Sequence, residues 1–195
     1  FGPFAAVFPV LAYATRFCED YQSGYYRMIF SRMSLVRFGR IRICSVALSG
    51  GVMLAVPIAS ACIMAYILGV PGVPQGSDEG LLDGTIMLTY IRKYGDWYIA
   101  VGTTVLGFLF GCVWALMGFL FAVWIPNRYV ALIAPFVLYE SMWIGLDGIV
   151  WLNPIRLLRG DDVGSYPLAA GVECVYIIVV SNVIMAGLVR RYRNG

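Results

Sequence analysis

The sequence predicts an all-α integral membrane protein, and three observations carry that reading. Of the 195 residues, 61% are hydrophobic and only 13% are charged, about half the charged share of a soluble domain. The mean hydropathy is +0.80, so there are too few charges to cover a water-facing surface. The apolar residues fall in long uncharged runs, at 43–77 and 97–127. These lack the ten-residue polar–apolar alternation of a barrel strand, and in lipid a helix pairs its own backbone.

A helix needs about 20 apolar residues to cross the hydrocarbon core. The predicted spans are 4–17, 43–69, 99–124, 129–150 and 168–189. The first follows from an opening of fifteen residues without charge, which Arg16 ends. It has neither the basic start nor the small-residue cleavage site of a secretory signal. Because the chain starts with Phe1 and its first span runs inward, one further helix is expected before Phe1, giving a six-span parent.

The second span holds Ser49-Gly50-Gly51 and Pro57, and proline predicts a kink near 53–57. The third has Thr103, Gly107, Gly111 and Ala115 at steps of four, a single face that lets another helix approach closely. Packing within the chain and a dimer interface are both open to it. The fourth carries Glu140 and Asp147, seven residues apart on nearly one face. A mid-membrane carboxylate must meet protein, water or a cation. Glu140, Trp143 and Asp147 are therefore candidates to line a pathway, unless the outer half of this span lies outside lipid. Glu173 is read as starting the fifth span near the outer surface.

Topology follows from the basic residues. Arg16, Arg27, Arg32, Arg37, Arg40, Arg42, Arg128, Arg190, Arg191 and Arg193 fall on one side, and Arg92, Lys93, Arg156 and Arg159 on the other. The ten-to-four bias places 18–42, 126–128 and 190–195 in the cytoplasm, with 71–98 and 151–167 outside. In the first cytoplasmic segment Gly24 and Gly39 offer two breaks, and a short helix is expected near 25–31. The outer segment 71–98 is expected to hold a short helix or hairpin on the membrane, with Trp97 and Tyr98 as interface anchors. Asn153-Pro154 signals a turn into a short amphipathic or re-entrant element.

Composition also excludes chemistry. The chain has no histidine, which removes Ser-His-Asp and Cys-His catalysis and His-ligated metals. Its five cysteines form no CxxC pair, so neither zinc nor a disulfide framework is expected. There is no phosphate-binding glycine motif. The net charge of +3 is small and is explained by topology, so nucleic acid is not an expected partner. A membrane enzyme is the weakest class. A stand-alone secondary transporter or channel, using Glu140 and Asp147 as ion or proton sites, is the alternative to a subunit driven by a partner.

One stretch resembles a known family. An apolar helix is followed by Glu19-Asp20-Tyr21-Gln22-Ser23-Gly24-Tyr25-Tyr26-Arg27, then Ser31-Arg32 and a basic run into a span with Ser49-Gly50-Gly51. With the outer element at Leu152-Asn153-Pro154 and a last span closing on Arg190-Arg191, the layout resembles the membrane subunits of type-2 ATP-binding-cassette (ABC) exporters. The nearest likeness is to small permeases of Gram-positive peptide and drug exporters. The resemblance implies a six-helix permease whose first helix is absent from this chain. It implies a separate ABC ATPase subunit, docked through Glu19, Asp20, Gln22, Ser23, Gly24, Tyr25, Tyr26 and Arg27. It also implies a second permease subunit, as homo- or heterodimer, in the cell membrane with the C-terminus cytoplasmic. ATP and Mg would be bound by the partner, with no cofactor in this chain. The cargo would be hydrophobic or amphipathic, a peptide or drug.

Overall fold

The uncharged runs are helical over 43–67 and 97–124. The computed structural model describes residues 6–11, 18, 20, 23, 33–68, 94–146, 148–149, 151–160 and 166–193. Of these, 88% are helical and none lies in a strand. The elements are α1 (Val7–Leu11), α2 (Leu35–Ile67), α3 (Asp96–Trp124), α4 (Arg128–Gly145), α5 (Pro154–Arg159) and α6 (Tyr166–Arg193). Among the described residues, three segments, Leu35–Ile67, Trp97–Trp124 and Tyr166–Arg191, are long and apolar enough to cross a membrane.

Several boundaries differ from the expected ones. Helix α2 begins at Leu35 and takes in the basic stretch before residue 43. Its 33 residues rise about 50 Å, well beyond a hydrocarbon core of about 30 Å. Gly39, expected as a break, sits inside α2, where a side chain would come within 3.0 Å of Met185 and 3.3 Å of Leu188. It is small to admit α6, not to interrupt the helix. Helix α4 stops at Gly145, short of the expected 150, and its 18 residues rise only about 27 Å. With Arg128, Pro135 and Glu140 inside its 18 residues, it holds no stretch that is both long and apolar enough to span. Of the expected 4–17 span, α1 is the described helical part. The expected elements at 25–31 and within 71–93 lie outside the described residues.

Helix α3 is the centre of the bundle and touches each of the other five elements. Two thirds of its apolar window, 67%, is buried, against 22% for α2 and 28% for α6. Its small-residue face is covered by antiparallel α2. Cys62 Sγ lies 3.9 Å from Thr103 Oγ1. A side chain at Gly107 would strike Ile58. A Cβ at Gly50 would lie 2.7 Å from the Gly111 carbonyl oxygen, and one at Gly111 would lie 3.0 Å from the Gly51 Cα. A side chain at Gly50 would also strike Ala115. The stripe Thr103, Gly107, Gly111 and Ala115 is thus occupied within the chain. Helix α6 runs parallel to α3 on another side, with Tyr166 against Gly102 at one end and Gly187 against Val123 and Trp124 at the other.

The ends of the bundle differ. The start of α2, the end of α3, the start of α4 and the end of α6 gather at one end, with Arg37, Arg40, Arg42, Arg128, Arg190 and Arg191. There the Arg191 guanidinium donates to the Val123 carbonyl, one of the oxygens a helix terminus leaves unpaired. The opposite end holds Tyr66, Trp97, Tyr98 and Tyr166, with Tyr66 and Trp97 rings 5.9 Å apart and Tyr98 and Tyr166 rings 5.2 Å apart.

The glycine contact gives a direct expectation. Gly111→Leu should wedge α2 from α3 and destabilise the protein by at least the roughly 1–3 kcal/mol typical of overpacking. Gly171→Leu, on a face where an added Cβ meets nothing within 4 Å, should stay near wild type. Thermal unfolding in detergent compares the two.

Candidate functional site

Helix α6 buries Tyr166, Ala169, Glu173, Val180, Ile184, Gly187 and Leu188. Steps of three, four and seven make this a single core-facing stripe, and Glu173 occupies one of its positions. The side chain is 2% exposed, and neither carboxylate oxygen has a hydrogen-bond partner among the described residues. It lies about 10 Å along the helix from Tyr166. The expectation of a place near the outer surface spoke to depth alone; its position on the stripe turns Glu173 into the bundle.

While its carboxylate oxygens are themselves covered, Glu173 is among the residues around a cavity of about 30 Å³, room for one or two water molecules. Phe110 and Trp114 of α3, Met142 of α4, Leu157 of α5 and Tyr176 of α6 form most of its wall. Behind them Tyr139 is fully buried. Its ring stands edge-on to Trp114 at 5.2 Å and 83°, and to Phe110 at 6.2 Å and 88°. Such pairs add about 0.5–1.5 kcal/mol each beyond area burial, which holds the aromatic wall in one arrangement. The Tyr176 hydroxyl donates to the Trp151 carbonyl at 3.2 Å.

Helix α5 closes this region, and Asn153 fixes it there. The 1% exposed Asn153 accepts from the Ile155 and Arg156 amides at 3.1 and 3.5 Å, so it caps the helix. Its Nδ2 donates to the Trp143 carbonyl at 3.3 Å, joining α5 to the last turn of α4. Gly160 ends α5 at φ 73, a left-handed conformation suited to glycine, and a side chain there would also meet Leu106 at 2.7 Å.

Of the two carboxylates expected to line a pathway, one is described. Glu140 is partly buried, with Oε1 unpartnered, and does not line this cavity. The Trp143 ring packs 6.5 Å from that of Tyr139. Asp147 lies outside the described residues. Sequence reasoning treated Glu173 as peripheral, although the spacing Tyr166, Ala169, Glu173, Val180, Ile184 was there to be read.

Two of the eight expected docking residues are described. Asp20 forms an ion pair with Arg42, whose guanidinium lies 5.6 Å from the centre of the Phe38 ring. The Ser23 hydroxyl donates to the Asp20 carbonyl at 3.0 Å. Cys18 is buried in the core cluster with Phe38, Val46 and Phe119. Glu19, Gln22, Gly24, Tyr25, Tyr26 and Arg27 lie outside the described residues. Of the five cysteines, Cys18 and Cys112 are buried, Cys62 is half-buried, and Cys44 and Cys174 are exposed.

Comparison with models of known protein families, with curated proteins and with solved structures finds no match.

Asn153→Ala should remove both the α5 cap and the tie to α4, at about 0.5–2 kcal/mol for the cap alone. Asn153→Asp keeps the acceptor and loses the donor, so it should fall between. Amide hydrogen exchange over 155–159 orders the three proteins.

Proposed function

We propose that this chain is the membrane subunit of an ATP-driven type-2 ABC exporter in the cell membrane. A separate ATPase docks on residues 18–31, binds ATP and Mg, and drives a hydrophobic or amphipathic cargo, a peptide or drug, outward. The observation that carries the proposal is the anchoring of this segment. Cys18 is packed in the core and Asp20 is held by Arg42, so the start of the segment is tied to the basic end of the bundle. A docking element needs such a root, because force transmitted to it must reach the spanning helices. With Arg42 12% exposed and Asp20 30% exposed, the pair is better shielded than a surface ion pair. The basic end is cytoplasmic by the positive-inside bias, which also puts the C-terminus inside. A second permease subunit, of the same or another chain, completes the transporter.

The second reading is a stand-alone transporter or channel driven by ions or protons. The unpartnered Glu173, rather than Glu140 and Asp147, is the observation that favours it. Purification in mild detergent separates the two: the first reading expects an ATPase subunit to remain bound, the second expects transport by the chain alone.

Two outcomes follow for the first reading. Tyr25→Ala and Arg42→Gln should each reduce retention of the ATPase subunit or uncouple hydrolysis from transport, while the chain stays in the membrane. The first removes an aromatic anchor of the kind that dominates interface energy; the second frees the root of the segment. Arg32→Cys should react with an impermeant thiol reagent only from the cytoplasmic face. Reaction from outside would overturn the topology.

A further inference from the structure

We infer that the outward face of α6 docks a second copy of this chain, with Asn182 paired to Asn182 of the second copy. Asn182 follows Glu173 by about 180° around the helix, so it stands opposite the buried stripe. It is exposed, and Leu168, Val175 and Ile178 on the same face are exposed and apolar. Lipid suits those three side chains but not an amide. From Asn182 the helix rises only about 12 Å to Arg190 at the basic end, and about 24 Å to Tyr166 at the other. That places the amide inside a hydrocarbon core about 30 Å thick, beyond the reach of lipid head groups. Asn182 Nδ2 donates to the Ile178 carbonyl at 2.8 Å. This uses one of the amide's two hydrogens, and the other hydrogen and Oδ1 have no partner among the described residues. Ser141, exposed on α4, differs: its single hydroxyl hydrogen is already given to the Val137 carbonyl. Lipid tails offer the Asn182 amide no hydrogen bond, and an amide left unpaired there is costly.

A copy of the same helix supplies what is missing, because an amide holds donor and acceptor in one group and complements itself. Copies of one sequence insert with one orientation, set by the same basic residues, so two α6 helices meet in parallel. Leu168, Val175, Ile178 and Asn182 recur at steps of seven, three and four, the heptad seam of a parallel pair. Across a two-fold axis a residue on the seam faces its own equivalent. Each Asn182 then gives its second hydrogen to Oδ1 of the other, while Val175 and Ile178 pack above the pair. A lone asparagine in such a seam fixes register and the number of strands, and hydrogen bonds between helices hold them together in lipid. An exporter needs a second permease subunit but does not need it on α6. Copies joined through another face would refute this interface and leave the transport reading untouched.

Energy transfer between donor- and acceptor-labelled copies of the full chain tests the interface, in phosphatidylcholine vesicles with no ATPase and no cargo. The wild type should follow a monomer–dimer curve as the protein is diluted in lipid. Asn182→Leu, which keeps the size and removes the amide, should move the midpoint at least about fivefold toward higher protein density. Asn182→Gln, which keeps the amide, should move it less. Cross-linking locates the face. In a chain whose native cysteines are replaced by alanine, Ile178→Cys should form a disulfide between copies on mild oxidation. Val183→Cys, also exposed but about 140° from Ile178 around the helix, should not. A wild type that stays monomeric at every density overturns the inference, and so does a midpoint that Asn182→Leu leaves in place. Linking at 183 and not at 178 puts the contact on another face and overturns it as well.

Discussion

The closeness of α2 to α3 is the constraint on which the rest of the bundle depends. Between helices surrounded by lipid there is no hydrophobic drive to associate, so contact rests on van der Waals packing and what the backbones allow. Gly50 and Gly51 meet Gly111 where even a methyl group would collide with backbone atoms. Along the same seam Cys62 faces Thr103 and Ile58 fills the space above Gly107. This fixes both depth and rotation of α2 on α3. With one face of α3 committed, its Phe110 and Trp114 turn toward α4, α5 and α6, where Tyr139 and Glu173 are found. The cavity is a consequence of the glycine seam.

The two ends of the bundle have different jobs. At the basic end the helices are tied by polar contacts: Arg191 to the α3 terminus, Arg42 to Asp20, and the Asn127 side chain accepting from the Tyr129 amide to start α4. At the other end the ties are aromatic, with α5 tucked among them. A short helix capped by Asn153 and ended by Gly160, whose cap bonds to α4 and whose preceding Trp151 carbonyl accepts from Tyr176 of α6, is easier to displace than the long helices. The structure thus joins a firmly rooted basic end to a lightly fastened opposite end, with the buried acid in between.

Much of this was legible in the sequence. Of the five spans expected, three are matched among the described residues by helices long and apolar enough to cross a membrane, because in lipid a long apolar run can pair its backbone only as a helix. The steps of four from Thr103 to Ala115 marked the seam but could not name its partner, since small faces serve equally well within and between subunits. Gly39 misled for a related reason: glycine breaks helices in water, but here it is a close-approach residue beneath Met185 and Leu188. The end of α4 was overdrawn because hydrophobic residues run on past Gly145, while the backbone turns there to begin α5. Glu173 was missed because attention went to carboxylates by depth in a span, not by helical face. Counting in threes and fours from Tyr166 places it inward, whereas Glu140, one residue past the inward Tyr139, is only partly buried.

The central claim is that the small-residue face of α3 is seated on α2 of the same chain in this register. Cysteine cross-linking tests it most directly. Cys62 is native, and Thr103→Cys would place a second thiol opposite it, in a chain whose other cysteines are replaced by alanine. A disulfide forms only where the two Cβ atoms come within about 4.5 Å. With a protease site inserted between α2 and α3, mild oxidation should leave the two fragments joined at the mass of one chain, and reduction should part them. A product of twice that mass, with no joined fragments from one chain, would mean that the seam lies between subunits and that α3 is not the centre of this bundle.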